Sequence, residues 1–290
     1  MMDAICLKAY AKINIGLNII SKRPDHYHNI ETIFQQIDLH DLVAIKRVDG
    51  SEITVRSNDR RVPEDHGNIC YQAVKLLQHA TGITEGIQIE IDKRIPIAAG
   101  LGGGSSDAAS VIMGLLQLWQ IELSKRDLLE LAVKLGADVY FFLNGGTALA
   151  TGVGEILARI ALPVNFHCVL ILPNIEISST WAYRNFNFSL TKIKKSVKLS
   201  QILNNRFDFA SLKNLTSNDL EGVVFQRYPL LMKLKETLYR KGAFFASMSG
   251  SGSTIYGLFH NYETAKEVMK TFPEPFQIIL AQPVITKGHL

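Results

Sequence analysis

Cysteine is scarce: Cys6, Cys70 and Cys168 are the only three in 290 residues, widely spaced and without a CxxC pair. An odd, scattered set argues against a disulfide framework and against a zinc site, and fits reduced core residues in the cytoplasm. No apolar stretch approaches the ~18 residues that a membrane helix needs. Lys8 and Lys12 interrupt the N-terminal apolar segment, and no small-residue cleavage site follows it. A soluble, untargeted chain with no membrane partner is therefore expected. Charge of one sign is also in short supply. The 31 basic and 27 acidic residues leave a net +4 spread along the sequence, too mild for a nucleic-acid partner and compatible with an anionic small molecule. The densest basic run, Lys192 to Lys198, reads as a solvated loop or edge without function. Repeats and low-complexity segments are missing too.

Hydrophobic residues make up 47% and charged residues 20% of the chain, an ordinary globular balance for two domains or one domain with a large lobe. From Ala9 to Leu17, Tyr10, Lys12, Asn14 and Gly16 alternate with Ala11, Ile13, Ile15 and Leu17, predicting a strand with one core face and one polar face. Arg23-Pro24-Asp25 marks a turn, and Leu42 to Arg47, Ile53 to Val55 and Ile87 to Ile91 read as strands, the last running on toward Pro96. Ser124 with Asp127 opens a helix that Gly136 closes. The N-terminal half is expected to end near Glu155, dividing the chain into 1–155 and 156–290. In the second half Val169 to Leu172 reads as a strand, Gln226 to Arg240 as one helix, and Ala243 to Met248 with Thr254 to Phe259 as a hairpin.

The densest signal is Gly100-Leu101-Gly102-Gly103-Gly104-Ser105-Ser106-Asp107, followed by apolar residues at Ala108, Val111, Ile112, Leu115, Leu116 and Trp119 with helical period. Glycines that let the backbone approach a ligand, placed at a helix N-terminus with its unpaired N–H groups, make an anion site suited to phosphate. A plain glycine turn capped by Ser105 or Asp107 is the weaker alternative. No Gly-Lys-Ser/Thr ending follows, which excludes a Walker loop. The preceding strand alternates and is separated from the glycines by Ile95-Pro96-Ile97-Ala98-Ala99, which disfavours a dinucleotide fold. Val43-Ala44-Ile45-Lys46 imitates a protein-kinase strand, but no His-Arg-Asp or Asp-Phe-Gly follows.

The segment Pro96 to Ser106 resembles the central phosphate-binding motif of the galactokinase, homoserine kinase, mevalonate kinase and phosphomevalonate kinase (GHMP) superfamily. Ala11-Lys12-Ile13-Asn14, Arg23-Pro24-Asp25-His26-Tyr27-His28, Leu135-Gly136-Ala137-Asp138, Gly152-Val153-Gly154-Glu155 and Ser249-Gly250-Ser251-Gly252-Ser253 resemble its other motifs, in family order over nearly the whole chain. The resemblance implies an α+β fold of two lobes with the active site in the cleft between them. It implies ATP and Mg2+ as cofactors and a small cytidine diphosphate-linked alcohol as acceptor. Lys12 and Asp138 become the catalytic candidates, Asp138 taking the proton and Lys12 orienting it. Asp138 also sits where a helix N-cap belongs, and both roles are compatible. Asn68, Lys93, Pro96, Ile97, Ala98, Ala99, Gly100, Leu101, Gly102, Gly103, Gly104, Ser105 and Ser106 become nucleotide contacts. Asn14, Tyr27, His28 and Tyr183 become acceptor contacts, with two aromatics able to sandwich a base; Tyr183 reads equally as an ordinary tyrosine. Ser106 or Asp107 is a candidate metal contact.

Three positions depart from the family pattern: His26 for glycine, Asp107 for a frequent asparagine, and Tyr140 for a frequent proline. His26 matters most for geometry, because a Cβ disfavours positive φ. Another GHMP small-alcohol kinase, a non-catalytic ligand sensor on the same fold, and a basic nucleic-acid module are the competing readings. Tyr27-His28 speaks against the first, Lys12 with Asp138 against the second, scattered charge against the third. A monomer or weak homodimer is expected.

Overall fold

A computed structural model describes residues 3–160, 165–188 and 216–285; the basic run Lys192 to Lys198 lies outside the described residues. The N-terminal half opens on two long antiparallel strands, β1 (Ala4–Lys22) and β2 (His28–Val48). They are joined by β3 (Ile53–Ser57), β4 (Gly86–Asp92), β5 (Thr147–Thr151) and β6 (Ile156–Arg159) in a six-stranded sheet of order β3-β4-β2-β5-β6, with β1 paired to β2. Among the described strands of this sheet only β3 and β4 pair in parallel. Four helices cover this sheet: α1 (Ile69–Thr81), α2 (Gly103–Trp119), α3 (Lys125–Leu135) and α4 (Val139–Asn144).

The second half carries a four-stranded antiparallel sheet of order β10-β7-β9-β8, from β7 (His167–Leu172), β8 (Phe245–Met248), β9 (Ile255–Phe259) and β10 (Gln277–Ala281). Its helices among the described residues are α5 (Ser179–Asn185), α6 (Glu221–Arg227), α7 (Pro229–Arg240) and α8 (Tyr262–Met269). Three apolar clusters separate four layers. Val74, Ile89 and Leu115 lie between the first helices and the first sheet. Ile13, Ile33, Leu170 and Tyr256 fill the space between the two sheets. Val169, Leu231 and Leu238 pack the second sheet on its own helices. Burial of one such side chain stabilises by ~1.5–3 kcal/mol, so the middle cluster fixes the two halves on each other. The expected division at residue 155 falls in the turn between β5 and β6.

Several expectations need correction. From Ala11 to Ile15 strand β1 keeps its expected apolar and polar faces, but both are enclosed: Ala9 to Leu17 is buried except at Tyr10, because helices cover one face and the second sheet the other. A register shift between Tyr10 and Ala11 exchanges the faces, putting Ala9 in the helix-side cluster and Ala11 in the inter-sheet cluster. Strand β4 stops at Asp92, short of Pro96. The helix expected over 226–240 is broken at Tyr228, where Pro229 takes the first position of a new helix. Cys70 and Cys168 are buried as expected, but Cys6 is exposed.

Candidate active site

Strand β1 organises the site. The Lys12 amide donates to the Leu101 carbonyl at 3.0 Å, and the Ser106 hydroxyl donates to the Tyr10 carbonyl at 2.7 Å, so the glycine segment is tied along the strand that carries Lys12. Helix α2 begins at Gly103 behind Gly102, with no side-chain cap. The cap that would have explained Ser105 or Asp107 structurally is absent, and the first-turn N–H groups are left for a ligand. Gly100 lies at φ 77°; a Cβ there would stand 2.1 Å from the Ser249 carbonyl. That close approach continues as a clasp: the Ser249 hydroxyl donates to the Gly100 carbonyl at 2.8 Å, and the Thr254 amide to the Ala99 carbonyl at 3.3 Å.

The glycine segment forms one wall of a cleft of about 1160 Å³, larger than the usual ~300–1,000 Å³ of a single small-ligand site and suited to two ligands side by side. Lys12, Asn14, Tyr27, His28, Asn68, Lys93, Pro96 to Ser105, Asp107, Asp138 and Tyr183 all line it. Of the site residues expected from the sequence, Ser106 alone does not; it is buried and turned onto Tyr10.

At the centre the Lys12 ammonium lies 3.6 Å from Asp138 Oδ2, with the lysine side chain 5% and the aspartate 30% exposed. Lys12 Nζ also donates to Asn14 Oδ1 at 2.5 Å and sits 5.0 Å above the Phe34 ring. Asp138 does stand at the N-cap of α4, but its side chain makes no capping bond, so the carboxylate is available to the cleft. Tyr140, two residues on, occupies the second helical position, where a proline's missing N–H costs nothing; the departure from proline removes no bond.

Toward the end expected to take the acceptor, the turn after Arg23 holds Tyr27 at the rim: Arg23 N donates to the Tyr27 carbonyl at 2.8 Å and Tyr27 N to Asp25 Oδ1 at 3.1 Å. His26 closes this turn at φ 69°, the left-handed conformation that glycine would adopt more easily. Tyr27 is 65% exposed. His28 is buried and stacks on Tyr183 with centroids 5.5 Å apart, edge-on to Phe186. Burial and the nearby Lys22 charge lower its pKa, keeping a neutral imidazole able to donate and accept. Burial raises the Tyr183 hydroxyl, helped by the charge of Asp138, which ties the aromatic pair to the Lys12–Asp138 end.

At the end expected to take the nucleotide, Asn68 caps α1 by accepting from Cys70 N at 2.7 Å. Lys93 is clamped between Asp41 and Asp107, 2.8 Å from the latter. Asp41 also accepts Arg94 N and Ile95 N at 2.6 and 2.7 Å. Burial, together with the Asp41 charge and against that of Lys93, pushes the Asp107 carboxyl up to about 8, and the two carboxylates outweigh burial to raise Lys93. Asp107 Oδ1 is buried without a partner. This carboxylate pair, widely separated in sequence, carries no local pattern and was not legible. Gly250 and Ser251 complete the cleft; their Ser-Gly run was the signal. Arg61 and Arg184 also line it, and nothing in their sequence context marks them.

Residues 68–146 match the GHMP kinases N terminal domain and residues 200–278 the GHMP kinases C terminal domain. Fold and glycine loop together define a GHMP kinase. Over 289 residues the chain is 42% identical to 4-diphosphocytidyl-2-C-methyl-D-erythritol kinase of Chlorobium phaeobacteroides (strain BS1), covering 98% of this chain and 99% of that one. It is 39% identical to the enzyme of the same name from Thermoanaerobacter pseudethanolicus (strain ATCC 33223 / 39E), covering 99% and 98%. The crystal structure of 4-(cytidine 5'-diphospho)-2C-methyl-D-erythritol kinase matches with TM-score 0.78 at 30% identity, over 96% of this chain and 99% of that one. Homoserine kinase from Cytophaga hutchinsonii shares the fold at TM-score 0.77 and 20% identity, over 98% and 96%. The chain belongs to the 4-diphosphocytidyl-2-C-methyl-D-erythritol kinase family and is an ATP-dependent small-molecule kinase. Among the described residues no helix is long and apolar enough to cross a membrane.

Proposed function

We propose that this kinase transfers the γ-phosphoryl group of ATP to the 2-hydroxyl of 4-diphosphocytidyl-2-C-methyl-D-erythritol, releasing the 2-phosphate and ADP, in the methylerythritol phosphate route to isoprenoids. The observation that carries the reading is the Lys12–Asp138 pair, 3.6 Å apart, in the same cleft as the glycine wall and the Tyr27, His28 and Tyr183 group. Phosphoryl transfer asks little covalent help of a protein and much positioning and charge neutralisation. Asp138, partly exposed and uncapped, accepts the hydroxyl proton as the oxygen attacks. Lys12 holds that carboxylate and balances charge beside it. The N-terminus of α2, with Gly103 to Ser105 in its first turn, receives the phosphates. Tyr27 and Tyr183 offer ring faces to the cytosine, while the neutral His28 meets its polar edge.

Mg2+ is normally held by one or two carboxylates together with substrate phosphates. The unpartnered Asp107 Oδ1 and the cleft-lining Ser105 fit that donor set at the phosphate loop. Bound with ATP, the ion would neutralise charge on the β- and γ-phosphates. The test is a phosphoryl-transfer assay with the cytidylyl alcohol, free methylerythritol phosphate, mevalonate and homoserine as acceptors. Turnover confined to the first supports the reading. Equal turnover of free methylerythritol phosphate would show that the base is not read, and the general small-alcohol kinase would replace it.

A further inference from the structure

The hydroxyl of Thr32 reaches no cleft wall; the residue is fully buried. Its single proton goes to the Gly16 carbonyl at 2.5 Å, leaving only lone pairs for Asn14 Nδ2 at 3.0 Å. A hydroxyl whose proton is already used can only accept. The NH2 end of Asn14 must therefore face Thr32, and its oxygen must face the other way, where it takes the Lys12 ammonium at 2.5 Å. If the amide turned over, two donors would meet at Lys12 and two acceptors at Thr32. The source of this relay is a register shift. Ile15 pairs with Ile33 and Leu17 with Thr32, so Gly16 stands unpaired between them, at φ 74°. This is the two-against-one geometry of a bulge, which re-aims groups beside active sites. Glycine is required there, since a Cβ would lie 1.9 Å from Thr216 Oγ1. The unpaired Gly16 carbonyl is what consumes the Thr32 proton.

We propose that Thr32 is a positioning residue for phosphoryl transfer, acting through the Asn14 amide to aim the Lys12 ammonium at Asp138. The inference rests on the reading of Lys12 and Asp138 as the reacting pair. Thr32 touches neither substrate, so its loss acts on turnover more than on binding. Valine matches threonine in shape and lacks the hydroxyl, freeing Asn14 to rotate; serine keeps the hydroxyl.

The experiment is a double-mutant cycle on folded, full-length protein with both substrates. Thr32→Val is expected to lower kcat by about 10- to 100-fold, the scale of one buried hydrogen bond to a polar group next to a charge. KM for ATP should stay within about threefold of the parent, and Thr32→Ser should restore most of the loss. Placed in a Lys12→Met background, Thr32→Val should cost almost nothing more, because the group it aims is gone. A Thr32→Val enzyme with parental kcat, or one that loses the same factor with and without Lys12, overturns the inference while leaving the Lys12–Asp138 reading intact. Parental turnover by Lys12→Met alone overturns that reading, and the inference with it. If Thr32→Val does not fold, Thr32→Ala enters the same cycle, with the same outcomes deciding.

Discussion

Replacing Asp107 by asparagine should change how stability depends on pH. In the nucleotide-free protein the Asp107 carboxyl is pushed up to about 8, against ~3.9 for an ordinary aspartate, chiefly because it is buried. Between those two values the folded chain holds a proton that the unfolded chain does not. Stability is then greatest below the ordinary value and falls as pH rises through the window, levelling above the folded value. The ceiling is about 1.4 kcal/mol for each pH unit, hence about 2.8 kcal/mol between pH 6 and 8. Water entry and movement of Lys93 would reduce the observed part to about 1–2 kcal/mol. An asparagine in its place would have no proton to lose, and Lys93 would keep its pairing with Asp41. The assay is urea unfolding of both proteins at several pH values, without nucleotide or magnesium. Parallel pH profiles for parent and Asp107→Asn would refute the reasoning, because the buried carboxyl would then titrate as in the unfolded chain.

Asp138→Asn and Lys12→Met should each fold normally and lower turnover by roughly 10²–10⁴-fold, the range for losing a positioned general base; near-parental rates in both would return Asp138 to a plain helix start. Gly100→Ala should weaken ATP binding at least ~10-fold by calorimetry, since its Cβ cannot coexist with the Ser249 carbonyl 2.1 Å away and a clash of that size costs about 1–3 kcal/mol. His26→Gly should raise stability by about 0.5–1 kcal/mol, the difference between left-handed strain and the extra entropy of glycine, visible as a thermal midpoint higher by about 1–3 °C. Tyr27→Ala should weaken the cytidylyl acceptor by about 5- to 150-fold and spare ATP; Tyr183→Ala should cost at least as much, because it also removes the ring on which His28 stacks.

What could be read in advance followed from local chemistry. Glycines at a helix start, and Ser124 and Gly136 at the ends of α3, state their roles within a few residues. The first half of β2, His28 to Asp41, was silent as a strand because burial on both faces erases alternation. Asp41, Lys93 and Asp107 meet only through the pairing of β2 with β4 and the turn into α2, so no spacing announces them. The aromatic group was half legible: Tyr27 and His28 lie in a compact motif, whereas the stack on Tyr183 depends on how α5 docks. The break at Tyr228 was legible in principle, since Pro229 is a helix-start residue.

The clasp of Gly100 by Ser249 links positions 149 residues apart, and the Tyr256 hydroxyl reaches the Asn14 carbonyl across 242 residues at 2.6 Å. During synthesis the glycine segment therefore leaves the ribosome well before the turn that seals it. The strand that carries Lys12 likewise waits for β9 to brace it. A chain cut short before that hairpin carries every glycine of the loop and neither of these braces, so the cleft wall and the strand that carries Lys12 are secured only once that hairpin has been made.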